Sequence, residues 1–316
     1  YDLSARALAD SGRPIGPGRV QRYFLRVPVT GTSVRLTVSL GGAEDEAVVQ
    51  LYDPRGRPAS GSPDSLVAVG YGKAARVVIE IPAEDVEAGV YELDVFNPGT
   101  GRSTATIGAE LAPVTLAVRD DGVLEVSNPG TTTAALLGRV ALVGAERRVT
   151  IEGRGASSES VTVVLPPWAA RAEVLVEMAP EQWVQFTDFG LTAFDSAGQQ
   201  VETTPLNYAR GRQAFDVPAR LAGHPVVFEL LPAFARADAP SPWTARVRVR
   251  VLTDSGSIIG SEARLDVVAG GRAALPMPMS TPLALPEGFA PLVEWRLTPT
   301  SGTTPDAIGF QPIRQP

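Results

Sequence analysis

The chain contains no cysteine in 316 residues, so neither a disulfide framework nor a thiolate metal site is open to it. It has one histidine, His224. A Ser–His–Asp hydrolase would have to use that residue as its base. It stands in Leu221-Ala222-Gly223-His224-Pro225, a turn leading into an apolar run, and no G-x-S-x-G elbow exists to partner it. It therefore reads as a turn or surface histidine. Zinc catalysis, which draws on several His or Cys ligands, fails on the same count. Lysine is nearly missing as well: Lys73 is the sole example, and arginine supplies the remaining positive charge. That bias, with abundant Ala, Gly and Pro, points to a GC-rich bacterial genome. The basic residues are scattered and the formal net charge is −7, which excludes the electrostatic footprint of a nucleic-acid partner. No apolar run approaches the roughly 18–20 residues of a membrane span. Tyr1 opens the chain without a basic-then-apolar leader, so the start reads as a cut within a longer secreted or periplasmic polypeptide.

What is present is strand pattern. Hydrophobic residues make up 44% and charged ones 20%, enough apolar material for real cores. The 31 Gly and 28 Pro are spread along the chain, as many short strands joined by tight turns require. In Ser33–Leu40, Val34, Leu36, Val38 and Leu40 share one face while Ser33, Arg35, Thr37 and Ser39 share the other. That period of two marks a half-buried strand. Comparable runs recur at 20–29, 47–53, 75–81, 90–96 and 104–111, separated by turn clusters such as Asp53-Pro54-Arg55-Gly56 and Asn97-Pro98-Gly99. Ala83–Gly89 suits one helical turn. A second round runs from Ala112 through Val201, with Asp195-Ser196-Ala197-Gly198 as a hairpin loop. In a third, Arg246, Arg248 and Arg250 alternate with Val247, Val249 and Val251, and the proline-dense tail from Pro276 suits extended chain wrapping the sandwich. The expectation is an all-β protein of tandem β-sandwich domains, jelly-roll or immunoglobulin-like. The domains are expected at 1–111, 112–209 and 210–316, the last with the proline-rich tail.

Some hydrolytic chemistry needs no histidine. Paired D-[ST]-G loops could place two carboxylates side by side, and Asp10-Ser11-Gly12 and Asp254-Ser255-Gly256 are two such triplets. The first lies in a polar lead-in and the second between alternating strands, where it reads as a hairpin turn. Acidic loops at Glu44-Asp45-Glu46, Asp53, Asp64 and Asp120-Asp121 offer hard oxygen ligands for Ca²⁺, but without EF-hand spacing, and solvated loop charge is the preferred reading. No cofactor is expected. Trp168, Trp183, Trp243 and Trp295 are candidates for a surface-binding platform, because flat rings stack on sugar faces. Trp168 follows Pro166-Pro167 and Trp183 precedes Gln185-Phe186-Thr187, so capping a core is the competing role.

Two stretches also carry a resemblance. Tyr52, Asp53, Pro54 and Gly56, followed by Gly89, Tyr91, Leu93, Val95 and Asn97, resemble the small sandwich modules of pre-peptidase C-terminal type that follow secreted bacterial peptidases. Trp183, Phe186, Thr187, Asp188, Asp195 and Gly198 resemble the β-rich region after the catalytic domain of large subtilisin-like peptidases, the tripeptidyl-peptidase II type among them. About two-thirds of the chain is covered. The resemblance implies a non-catalytic accessory region whose chemistry lies upstream. Its implied partners are the catalytic domain of the same polypeptide, a protein substrate or a second copy. The rival expectation is a module binding carbohydrate or cell-surface material.

Overall fold

A computed structural model describes residues 1–3, 7–42, 47–59, 67–69, 76–119, 123–234, 241–254, 259–276, 283–300 and 306–312. The fold is all-β: strands organised into five sheets in a sandwich-like architecture, with helix limited to short turns among the described residues. Two compact units emerge, each assembled from non-contiguous segments. The first takes residues 1–140, 261–277 and 294–311, and the second takes 141–260, 278–293 and 312–316.

The first unit begins with β1 (Ala7–Ile15), β2 (Val20–Val27), β3 (Val34–Leu40) and β4 (Ala47–Tyr52). There follow β5 (Val67–Val69), β6 (Arg76–Ile81), β7 (Gly89–Phe96) and β8 (Ser103–Leu111). They form two antiparallel sheets, ordered β1-β8-β3-β6 and β2-β7-β4-β5. Alternation decides the faces: β3 reads buried at Val34, Leu36, Val38 and Leu40, and β7 at Tyr91, Leu93 and Val95. Both sheets turn these residues into one shared core. The expected helical turn is a 3₁₀ turn at Ala83–Asp85. The supposed polar lead-in around Asp10 is strand β1 itself, paired to β8 with a bulge between Asp10 and Arg13. Gly12 there leaves room for the Thr104 side chain.

Next come β9 (Thr115–Val118), β10 (Val123–Ser127) and the 21-residue β11 (Ala134–Arg154), within which the two units divide. Then follow β12 (Glu159–Val164), β13 (Ala169–Met178), the helical turn α1 (Pro180–Trp183) and β14 (Phe186–Asp195). After them come β15 (Gln200–Pro205), β16 (Arg210–Asp216), β17 (Pro225–Phe234) and β18 (Pro242–Thr253). The last strands are β19 (Ile259–Val267), β20 (Arg272–Pro276), β21 (Ala290–Pro299) and β22 (Ala307–Pro312). In the first unit β20, β10 and β9 make a small sheet, while β22 lies beside β21 at a sheet edge. In the second unit the order β16-β13-β18-β11 faces β12-β17-β14-β15 across a core containing Phe189, Phe228, Trp243 and Val249.

Strands from either side of residue 210 are thus hydrogen-bonded neighbours: β13 pairs β16 and β18, and β14 pairs β17. The compact units do not follow the cuts expected at 112 and 210. The hairpin expected at Asp195–Gly198 is present, since β14 and β15 pair directly around it. Of the other expected turn, Ser255 and Gly256 lie outside the described residues; Asp254 follows β18, and among the described residues β18 and β19 both pair with β11.

Candidate functional site

The residues that carry the resemblance in the first unit lock turns. The Asp53 side chain accepts hydrogen bonds from the main-chain N–H groups of Arg55 (2.9 Å) and Arg57 (3.0 Å), closing the turn after β4. Its other oxygen, Oδ2, takes Arg57 Nε at 2.8 Å, and a second guanidinium nitrogen of Arg57 donates to Glu87 at 2.7 Å. Arg57 and Asp53 are both buried, so this is an ion network inside the protein. Gly56 (φ +75°) supplies the left-handed turn residue, and at Gly89 (φ +147°) a Cβ would collide with Pro54. The Tyr91 hydroxyl accepts from the Glu87 N–H at 3.0 Å. Asn97 donates from its amide to Ile15 O and Gly101 O and accepts from the Gly99 N–H. Asn128 repeats that geometry in the second Asn-Pro-Gly loop, donating to Thr132 O and Val267 O. These residues are committed to the fold rather than directed at a ligand.

A cavity of about 180 Å³ lies where β22 meets the first sandwich. Val34, Ile81, Pro82, Ile308 and Phe310 provide its apolar lining. Two ion pairs border it, Arg35–Glu80 at 2.9 Å and Arg296–Asp306 at 3.2 Å. Ser33 stands at its base and grips β22 through both main-chain groups of Ile308. The Ser33 hydroxyl donates to Ile308 O at 2.8 Å and accepts from Ile308 N at 2.7 Å. Glu84 accepts from the Phe310 N–H at 3.0 Å. Sequence reasoning missed this clamp, because Ser33 and Ile308 are 275 residues apart and nothing local marks either one.

The four tryptophans separate by burial. Trp243 is 1% and Trp295 3% exposed, which removes both from any surface platform. Each indole lies over a glycine, Trp243 on Gly153 and Trp295 on Gly309, where a Cβ would overlap the ring. Trp243 donates to Gly155 O at 3.1 Å. Trp168 and Trp183 are half-buried and pack against the second core. Trp168 donates to Ala284 O at 3.1 Å, and Trp183 stacks within a cluster of Phe186, Phe189 and Trp243. An open hollow of about 480 Å³ is lined by Glu152, Arg154, Ser157 and Glu159, with Trp243 at its base.

The arginine face of β18 is also present, but laced with acids. Glu146, its side chain 0% exposed, accepts from Arg250 Nε (2.6 Å) and Arg148 Nε (2.7 Å). Across β13, Glu173 takes Arg212 at 2.7 Å and Arg171 at 3.0 Å. Burial pushes the Glu173 carboxyl up, but the Arg212 charge and the hydrogen bonds from both arginines outweigh it and hold the group below its ordinary value.

His224 is exposed in the turn before β17, with its main chain bonded to Leu165 and Leu221. Asp10 accepts from the Tyr1 hydroxyl at 2.6 Å and pairs with Arg13, whereas Asp254 is exposed and belongs to the other unit. Of the acidic loops, Asp53 is engaged with Arg57, while Glu44, Asp45, Glu46, Asp64, Asp120 and Asp121 lie outside the described residues. Among the described residues no three His, Cys, Asp or Glu side chains gather as metal ligands, and no helix is long and apolar enough to cross a membrane.

No protein-family model and no curated protein matches the chain. Among solved structures, tripeptidyl peptidase 2 aligns over 98% of this chain and 30% of its own, with TM-score 0.46 and 10% identity. PNGase F, a glycosylasparaginase from Flavobacterium meningosepticum, aligns over 81% of this chain and 99% of its own at TM-score 0.29 and 8% identity. The PBSX exported protein XepA aligns over 80% and 88% at TM-score 0.25 and 11% identity. The chain therefore spans less than a third of the tripeptidyl peptidase 2 chain, and the likeness is a weak, low-identity one between β-sandwich regions.

Proposed function

We propose that this chain is a non-catalytic accessory region of a secreted or periplasmic subtilisin-like serine peptidase, built from jelly-roll-like and immunoglobulin-like sandwiches. It stabilises or assembles the catalytic domain of the same polypeptide, or holds protein substrate near it. The grip of Ser33 on Ile308 supports this reading most directly. A sandwich that receives a distant extended strand through both of its main-chain groups has the chemistry to hold another such segment. Sheet edges present main-chain donors and acceptors for that purpose. The strands β12 and β15 are edges of the second unit. Deleting this region from the gene that encodes it is expected to lower the stability, assembly or substrate range of the peptidase. An unchanged enzyme on all three measures overturns the reading.

A second reading, a module for carbohydrate or cell-surface material, draws on the half-buried Trp168 and Trp183. In affinity electrophoresis, Trp168→Ala or Trp183→Ala would then lose glycan retention while the fold persists.

A further inference from the structure

The outer face of the β2-β7-β4 sheet in the first unit carries side chains that the core does not use. Cross-strand register arranges them in rows. Phe24, Glu92 and Tyr52 form one row, Arg22, Asp94 and Gln50 the next, and Val20, Phe96 and Val48 the third. Phe24 is 51% exposed although it sits mid-strand, and Val20 and Val90 are exposed on the same face. With neighbouring strands roughly 4.8 Å apart, Phe24 and Tyr52 stand about 10 Å from each other on either side of Glu92. That is the span of two linked pyranose rings. Phe96, four residues along β7 from Glu92, lies roughly 13 Å further on.

Between the aromatic rings lie polar groups with unused hydrogen-bonding capacity. Asp94 Oδ1 is buried without a hydrogen-bond partner, 3.7 Å from Arg22 Nε. Arg22 reaches Glu92 at 3.3 Å, so both of its contacts are long for a charge-assisted hydrogen bond. Burial above all, with the neighbouring Glu92 charge, raises the Asp94 carboxyl against the opposing Arg22 charge. Two carboxyls set against Arg22 and Arg26 leave the face close to neutral, which disfavours a polyanion. An exposed sheet face with aromatic side chains on strands about 10 Å apart, and a planar donor and carboxylates in the rows beside them, suits the alternating apolar and hydroxyl faces of a sugar chain.

We propose that this face binds a neutral β-linked polysaccharide, with Phe24 and Tyr52 stacking on sugar rings and Asp94 with Arg22 bonding their hydroxyls. The site belongs to the first unit, Trp168 and Trp183 belong to the second, and it does not depend on the peptidase reading. The test is isothermal titration of the whole chain with β-1,4-linked hexamers of glucose, mannose and N-acetylglucosamine. Saturable binding of a neutral hexamer is expected. Phe24→Ala or Tyr52→Ala should weaken it about tenfold or more, since losing one ring contact of 1.4 kcal/mol is a factor of ten. Trp168→Ala should leave binding intact, and thermal melting should confirm that the Phe24→Ala protein stays folded. Failure of all three hexamers to bind overturns the proposal. So does binding that survives the double Phe24→Ala/Tyr52→Ala variant, or a wild-type dimer that Phe24→Ala converts to monomer, which would make the face a self-association surface.

Discussion

Arg57 is the sharpest point at which to perturb the first sandwich. It is a fully buried arginine joined to a buried aspartate through Nε (2.8 Å) and a second guanidinium nitrogen (2.7 Å), with Glu87 as a further acceptor at 2.7 Å. Arg57→Met keeps most of the apolar stem and removes the charge, leaving the Asp53 carboxylate in the interior. Breaking one side of a buried pair costs about 3–5 kcal/mol. Asp53 would retain the N–H groups of Arg55 and of residue 57, which places the expected loss near the lower end, at about 3 kcal/mol. At about 2–4 °C per kcal/mol for a unit of this size, calorimetry should show one transition falling by roughly 6–12 °C. Urea denaturation should report the same loss as a lower midpoint. The double variant Asp53→Asn/Arg57→Met removes both charges and should recover part of the loss, giving a coupling of about 2 kcal/mol. A loss for Arg57→Met below about 1 kcal/mol, or additive single and double variants, would refute the claim that this ion network holds the turn.

Further outcomes follow from the same geometry. Gly153→Ala drives a Cβ into the Trp243 indole and should destabilise the second unit by about 1–3 kcal/mol, read by urea unfolding followed through tryptophan fluorescence. Ser33→Ala leaves the buried main-chain groups of Ile308 without their partner, so stability should fall by about 1–3 kcal/mol and amide exchange at Ile308 should rise before exchange elsewhere in the first sandwich. Glu173, lowered on folding, contributes stability that is present above the ordinary carboxylate value of 4.5 and is lost as pH falls through its folded value. Glu173→Gln should therefore flatten the acid limb of the stability curve measured between about pH 5 and pH 2. Asp94 runs the opposite way: its contribution is present below 3.8 and is lost as pH rises through the raised value, so Asp94→Asn should stabilise the protein near neutrality.

Period-two alternation made the fold class legible from the sequence, because each sheet has one buried face and one wet face. Val34, Leu36, Val38 and Leu40 fall inward as their spacing demands. Turn chemistry was legible for the same local reason: Asp195 accepts from the N–H groups of Ala197 and Gln199 within its own hairpin. Chain organisation was not, because alternation identifies strands and says nothing about which strands pair. β13 therefore finds β16 and β18 across the cut expected at residue 210. Trp243 and Trp295 were open to a surface role because a flat ring that can stack on a sugar can equally fill a core, and the sequence around each does not decide between the two. The glycines that let each indole lie flat, Gly153 and Gly309, are far away in sequence or carry no mark of their own. The resemblance at Asp53–Gly56 rests on structural residues, and these hold a turn, while the exposed row of Phe24, Glu92 and Tyr52 emerges only from register.

If this region works as part of a serine peptidase polypeptide, the native protein must carry both the extra mass and the reactive serine. Both are read by capturing it from its source with an antibody to this chain, then recording its mass and its labelling by a fluorophosphonate probe. A labelled species much heavier than 33.2 kDa is the predicted result. An unlabelled species near 33.2 kDa would contradict it and leave a free-standing binding module in its place.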